Sequence, residues 1–340
     1  VPAKVKLDLT YRCNLRCVHC CIVPEDRPEL TLEEICLLLD QLVSKGCLYL
    51  LLSGGEIFLR PDLPEILECS RSKGFSLRLF TNGTMVPDAL IPRLRDFRVG
   101  EVDISLYGDT AEVHDGVTRV PGSFDRAMHT IRHLGSTGIL TKISFMLLRQ
   151  NVSRLRRMIA LGESLGAAFT VDEAVFPKLD GSPGPLDFRV PPKDLEDLIV
   201  YRESCAPDLR RMKESWDRDR WLDEPACGAG IMTCSISPYG DVTPCPVMPL
   251  TAGNIREQSF GDIWDHSDVM HRVRSLRRRD LKSCASCELA PFCILCPGRA
   301  LLEDGDLTGP WRFRCDEAAL HSAVYEKIYG KSGPCNTPRK

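Results

Sequence analysis

The chain opens on an alternation. Val5, Leu7 and Leu9 are apolar, and Lys6, Asp8 and Thr10 between them or beside them are polar. A period of two predicts a strand with one buried face. After a short cysteine-rich stretch, Thr31 and Glu34 form a capping-box pair ahead of a helix over 32–45, which Gly46 ends. The run CLYLLLS at 47–53 predicts a buried strand closed by Gly54 and Gly55. A second helix is expected over 61–73, stopped at Gly74. A third strand follows over 75–80, ahead of Thr81, Asn82 and Gly83. The rhythm continues with a strand at 102–106, a helix capped by Ser123 and running to 134, and a strand at 140–148. A helix at 152–165, a strand at 168–174 and a helix opening near Lys193, behind Pro191 and Pro192, complete it.

Six βα units of this kind imply parallel strands joined by right-handed crossovers. Six rather than eight predicts an α/β fold with a partial (β/α)6 TIM-like barrel, or else a doubly wound sheet. In either arrangement the active site belongs at the carboxyl ends of the strands. The loop after the first strand carries the cysteines, and the loop after the second carries Gly-Gly-Glu.

The pattern breaks after residue 203. The stretches 182–185 and 210–220 read as connecting surface. From Cys227 the chain is rich in Cys, Pro and Gly with only short apolar runs, as expected of a small domain held together by metal. The expected organisation is a core at 1–203, a linker at 204–226 and a cysteine-rich C-terminal domain at 227–340.

Composition narrows the chemistry. The net charge of −3 across 340 residues, with both signs interspersed, gives no support for a nucleic-acid binder. No apolar run is long enough for a membrane span. The first residues show no signal-peptide pattern, so a cytoplasmic location is expected. Cysteine is the outlier: of seventeen, four fall in 13–21 and eight in 227–315. A chain with a full-sized core needs no disulfide staples, so clusters of closely spaced thiols read as metal ligands. The isolated Cys36, Cys47, Cys69 and Cys205 read as small buried hydrophobes, and Cys335 as a thiol of the tail. His114, His129, His133, His266 and His271 read as packing or surface residues without ligand spacing. The basic run 271–280 reads as a solvated helix face or as a dock for an acidic peptide segment.

Cys13, Cys17 and Cys20 place three thiolates on one short loop. A four-coordinate zinc would need a fourth ligand, and Cys21, adjoining Cys20, is awkward for that role. A [4Fe–4S] cluster can take three cysteines and leave one iron open. The spacing Cys13-x3-Cys17-x2-Cys20 resembles the signature of the radical SAM superfamily, with His19 where that family keeps a ring side chain. Ser53–Gly54–Gly55–Glu56 resembles the family's segment for the amino group of S-adenosylmethionine, held by the Glu56 carboxylate or nearby carbonyls. The resemblance further implies cofactor contacts from Asn82, Ser105 and Arg119, the last toward the cofactor carboxylate. Tyr107 stands where relatives often keep an aspartate.

The distal thiols Cys227, Cys234, Cys245, Cys284, Cys287, Cys293, Cys296 and Cys315 make two sets of four, which two zinc sites would satisfy equally by count. CASCELAPFCILC at 284–296 resembles the SPASM domain, although its last gap is two residues rather than the usual three. That resemblance implies two auxiliary [4Fe–4S] clusters, one on Cys227, Cys234, Cys245 and Cys296, the other on Cys284, Cys287, Cys293 and Cys315. With all four irons of each cluster ligated, electron transfer or structural bracing is the expected role. The implied activity is reductive cleavage of S-adenosylmethionine to a 5′-deoxyadenosyl radical, which abstracts hydrogen from a peptide or protein substrate. Maturation of a ribosomally made peptide is the leading expectation. Formylglycine-type sulfatase maturation and a non-catalytic electron carrier are the alternatives. A flavodoxin- or ferredoxin-like electron donor is implied, and leader recognition falls to a separate leader-peptide-binding protein or to the core itself.

Overall fold

The computed structural model describes residues 1–205, 213 and 215–330. These fall into two compact units, one of Val1–Arg189 with Ala229–Arg274, the other of Val190–Gly228 with Ser275–Lys340.

The first unit is built on nine strands: β1 (Lys4–Thr10), β2 (Tyr49–Gly54), β3 (Ser76–Thr81), β4 (Val99–Leu106), β5 (Leu140–Met146), β6 (Ala168–Asp172), β7 (Thr233–Ile236), β8 (Asp241–Thr243) and β9 (Gly253–Asn254). Their order is β6-β5-β4-β3-β2-β1-β7-β8-β9. Strands β1 to β6 pair in parallel with their sequence neighbours. This is the α/β, partial TIM-like barrel that the alternation predicts. Strand β7 adds to the free edge of β1 in parallel, and β8 and β9 continue antiparallel. These three come from the cysteine-rich part of the sequence. They have two to four residues each, too few to print a legible period.

The period of two sorts the sheet's faces. Val5, Leu7, Leu50, Leu52, Leu79, Val102, Ile104 and Ile143 are fully buried on one side. Each stabilises the fold by roughly 1.5–3 kcal/mol. The residues between them are polar on β1 and β4, Lys6 and Asp103, and apolar on β2, Leu51. Asp103 accepts from Arg78 at 2.6 Å and from Ser144 at 2.6 Å, and pairs with Lys142 at 3.5 Å. Together with Phe80, Ser105, Met146 and Asp172 these line a cavity of about 350 Å³.

Helices α1 (Leu32–Ser44), α2 (Leu63–Ser72), α3 (Ala111–Thr118), α4 (Ser123–Gly135) and α5 (Leu155–Ser164) belong to this unit, and α6 (Glu196–Cys205) to the other. The capping box of α1 forms in both directions: Glu34 N donates to Thr31 Oγ1 and Thr31 N to Glu34 Oε2. Ile35, Leu38, Leu39 and Leu42 form its buried face.

Several local expectations change. Ser123 is the first residue of α4, not its cap; Gly122, at φ +74°, takes that place, and the Ser123 hydroxyl donates to Asp115 at 2.7 Å. Helix α3 was not expected, because its eight residues carry few apolar positions. The stretch 152–165 divides into a single 3-10 turn, Val152–Arg154, and α5. Residues 184–188, which overlap the end of the stretch 182–185 expected as connecting surface, likewise form a 3-10 turn. Of the four isolated cysteines, Cys47 is buried as expected and Cys205 is exposed. Cys36 on α1 and Cys69 on α2 are instead joined as a disulfide, with Cα atoms 6.2 Å apart. Cys335 and part of the stretch 210–220 lie outside the described residues.

In the second unit, Phe292 and Tyr325 pack edge to face around Ala318. His321 shares Glu203 with Lys213, the nitrogens lying 2.6 and 2.5 Å from one carboxylate oxygen.

Candidate functional site

The carboxyl ends of β1, β2, β3 and β4 converge. The loop leaving β1 is pinned by Arg16 N and Val18 N, which donate to the carbonyls of Thr118 and Val117 at 2.9 and 3.1 Å, and by burial of Leu15. The unexpected helix α3 thus helps to fix the cysteine loop. Cys13, Cys17, Cys20 and Cys21 line a cavity of about 510 Å³ together with Ser53, Gly54, Gly55, Asn82 and Ser105.

The thiols sense one another. Burial first, then Cys20 and Cys13, pushes Cys17 up to about 12. Cys13 is raised by burial and, more weakly, by Glu56 and Cys20. Among the described residues, however, no three sulfurs lie within 4.8 Å of one another, as a single zinc with Zn–S bonds of about 2.3 Å would demand. Three thiols on one loop, spaced more widely than one ion requires, suit a multinuclear cluster.

Gly54 and Gly55 are required by close approach. Gly54 has φ +141°, and a Cβ there would stand 2.2 Å from the Thr10 carbonyl oxygen; one on Gly55 would stand 2.3 Å from that of Arg12. The same carbonyls accept from Gly55 N at 2.7 Å and Glu56 N at 2.9 Å. The β2 loop is therefore laced directly to the residue before Cys13.

Glu56 is fully buried. Its carboxylate accepts from Thr81 Oγ1 at 2.8 and 2.9 Å, Asn82 N at 2.8 Å and Phe58 N at 3.1 Å. Burial raises its pKa in spite of these bonds. The side chain is absent from the cavity wall and ties the β2 loop to the end of β3. Asn82 does face the cavity. Its amide donates to Asn14 Oδ1 at 2.9 Å and approaches Cys13 Sγ at 3.8 Å.

Ser105 lines the cavity beside Tyr107, whose phenol is buried and is pushed up by burial and by nearby Cys17. His19 packs edge-on to Tyr107, ring centroids 4.9 Å apart, and burial lowers it to about 4. Arg119 ends α3 in the left-handed region at φ 60°. It is exposed and is not part of the cavity wall.

Sequence reasoning did not single out Asn14, Thr81 or Phe176. Asn14 and Thr81 hydrogen-bond within the site, and Phe176 lines the cavity. Only the place of Thr81 at the carboxyl end of β3 could have marked it; Phe176 lies four residues beyond β6.

In the second unit, burial first and neighbouring thiols after it raise Cys284, Cys293 and Cys315. Cys284, Cys293, Cys296 and Cys315 also border one small cavity. In the first unit, Cys234 is fully buried on β7 and Cys245 follows β8. Cys227 belongs to the second unit.

Comparison with known proteins adds the following. A family model described as the radical SAM superfamily matches residues 7–162, and one described as an iron–sulfur cluster-binding domain, SPASM, matches 227–288. An AdoMet-dependent heme synthase of Methanosarcina barkeri is 30% identical over 90% of this chain and 94% of its own. The mycofactocin maturase MftC of Mycolicibacterium smegmatis is 30% identical over 84% and 75%. The crystal structure of Streptococcus suis SuiB bound to precursor peptide SuiA superposes with a TM-score of 0.71 at 18% identity, covering 89% of this chain and 73% of SuiB.

Proposed function

Because the chain belongs to the radical SAM superfamily and carries a SPASM iron–sulfur cluster-binding domain, making it an enzyme that uses [4Fe–4S] clusters and S-adenosylmethionine, we propose that it matures a ribosomally synthesised peptide. When bound, a reduced cluster with an open iron supplies the electron that cleaves S-adenosylmethionine and yields a 5′-deoxyadenosyl radical for hydrogen abstraction.

The chain's own residues have separable tasks in this reading. Cys13, Cys17 and Cys20 hold the core cluster, and the Asn82 amide steadies the Cys13 sulfur. Backbone carbonyls of Ser53–Gly55 take the cofactor's ammonium, and Ser105 takes the ribose. Glu56 positions Asn82 from behind. Arg119 is better placed to end α3 than to reach the cofactor. The eight distal thiols hold two auxiliary clusters in the sets given above, for electron transfer or bracing. Residues 1–203 form the catalytic part, 204–226 the linker and 227–340 the SPASM part.

One observation carries the peptide reading. The cavity at the cysteine loop shares Tyr11, Cys21, Ile22, Ser53, Gly54 and Phe176 with a second cavity of about 580 Å³. The second is walled by Val23, Leu179, Val247 and Met248 and edged by Asp8, Glu25, Asp180 and Asp241. Lys6 is paired with Asp8, and Arg27 with Glu25 and Asp241. A long apolar cleft with a net acidic edge suits an extended peptide better than a polycarboxylate.

A second reading, a step of heme formation, rests on the fuller coverage of the Methanosarcina relative. Anaerobic incubation with S-adenosylmethionine and dithionite separates them. The peptide reading expects a mass change in a peptide encoded beside this gene; conversion of a porphyrin precursor, with no peptide change, would reject it. A two-electron oxidation of Cys or Ser without a crosslink would instead indicate formylglycine formation. Among the described residues no helix is long and apolar enough to cross a membrane. We place the enzyme in the cytoplasm, with a flavodoxin- or ferredoxin-like donor and, for the leader, a separate binding protein.

A further inference from the structure

His129 and His133 lie four residues apart on α4, which puts both imidazoles on one helix face. That spacing is a ligand spacing, contrary to the expectation that these histidines lack one. Asp88, from the segment between β3 and β4, completes the group. Its Oδ1 lies 2.8 Å from His129 Nε2 and 3.3 Å from His133 Nδ1. The three ligand atoms all lie within 4.8 Å of one another.

We propose that Asp88, His129 and His133 form a surface site for a divalent cation of the zinc type. Zinc takes imidazole nitrogen at about 2.0–2.1 Å and carboxylate oxygen at about 2.0–2.2 Å in tetrahedral geometry. Ligand atoms around such an ion stand about 3.3 Å apart by that geometry, so the present separations need only small side-chain rotations. The donor set also differs from those of the cluster loops. Thiolates select iron–sulfur clusters, whereas two imidazoles and a carboxylate suit borderline dications. Asp88 and His129 side chains are each 61% exposed and His133 32%, which leaves the fourth position open to water.

The site joins two elements that already meet. Thr130, next to His129, donates to the Gly83 carbonyl at 2.6 Å. That bond holds the start of the segment after β3, and the ion holds it again at Asp88. The segment begins with Asn82 and Thr84, which bond to Asn14 on the cysteine loop. Zinc there braces a neighbour of the cluster loop without touching it.

The test uses the full-length, cluster-loaded chain. It is equilibrated anaerobically with micromolar zinc chloride and dialysed, and zinc and iron are counted by mass spectrometry. The parent should retain about one more zinc per chain than the His129→Gln/His133→Gln double variant, at equal iron. Asp88→Asn should bind zinc at least tenfold more weakly than the parent. Hydrogen exchange at 84–91 should slow with zinc in the parent and not in the double variant. Equal zinc in parent and double variant, or zinc gained only as iron is lost, would overturn the site.

Discussion

Replacing Glu56 distinguishes a strut from a cofactor ligand. The carboxylate receives three donor groups, Thr81 Oγ1, Asn82 N and Phe58 N. Bonds to a charged acceptor contribute roughly 1.5–3 kcal/mol each, and about 1–3 kcal/mol is lost for each buried donor left unsatisfied. Against this, the buried charge itself costs several kcal/mol, consistent with the raised pKa. Glu56→Ala should therefore lose about 2–5 kcal/mol. Glu56→Gln keeps one carbonyl oxygen but aims an NH2 group at either Asn82 N or Phe58 N, and should lose about 1–3 kcal/mol. At roughly 2–4 °C per kcal/mol for a unit of this size, the alanine variant should melt about 4–20 °C lower and the glutamine variant about 2–12 °C lower. The assay is thermal unfolding of cluster-loaded protein under anaerobic conditions without S-adenosylmethionine, paired with calorimetric binding of the cofactor. Alanine and glutamine variants that melt with the parent, yet lose cofactor affinity, would refute the strut and restore Glu56 as a direct ligand.

Three further outcomes follow from the geometry. Gly55→Ala must displace the Arg12 carbonyl, so it should lower core-cluster retention and cofactor cleavage more than tenfold, a loss of about 1.4 kcal/mol or more, measured as iron content and 5′-deoxyadenosine yield. Asn82→Ala removes the amide beside Cys13 Sγ; because hydrogen bonds to sulfur favour the more negative reduced cluster, an electron paramagnetic resonance titration should find a lower potential, and an unchanged one would remove the amide's role. Cys287→Ala leaves three thiolates at an auxiliary site whose metal binding contributes to folding. It should express poorly and lose peptide modification while retaining some uncoupled cofactor cleavage, and normal peptide turnover would show that cluster to be dispensable.

The barrel was legible because its period is strong where burial is one-sided. Val5, Leu7 and Leu9, and the apolar run Leu50, Leu51 and Leu52 of β2, announce themselves, and Gly46 and Gly74 end helices in the left-handed region. The cysteine loop was legible because ligand spacing is local. What stayed hidden was long-range. Glu56 reads as a cofactor contact from its place after Gly-Gly, and only the fold reveals that Thr81 and Asn82 bond its carboxylate. The anchor of the cysteine loop, the Val117 and Thr118 carbonyls, is backbone and leaves no trace in residue type. Cys36 and Cys69 are thirty-three residues apart, and nothing short of packing α1 on α2 joins them. Asp88 likewise meets His129 and His133 only once the segment after β3 lies along α4.

The central claim is that Cys13, Cys17 and Cys20 hold the cluster that cleaves S-adenosylmethionine. It is tested most directly by 5′-deoxyadenosine formation under anaerobic reduction, in the parent and in a variant with all three cysteines changed to alanine. The parent should form it. The variant should form none, while keeping about eight of about twelve irons on the distal thiols. Undiminished 5′-deoxyadenosine from the triple variant would contradict the account.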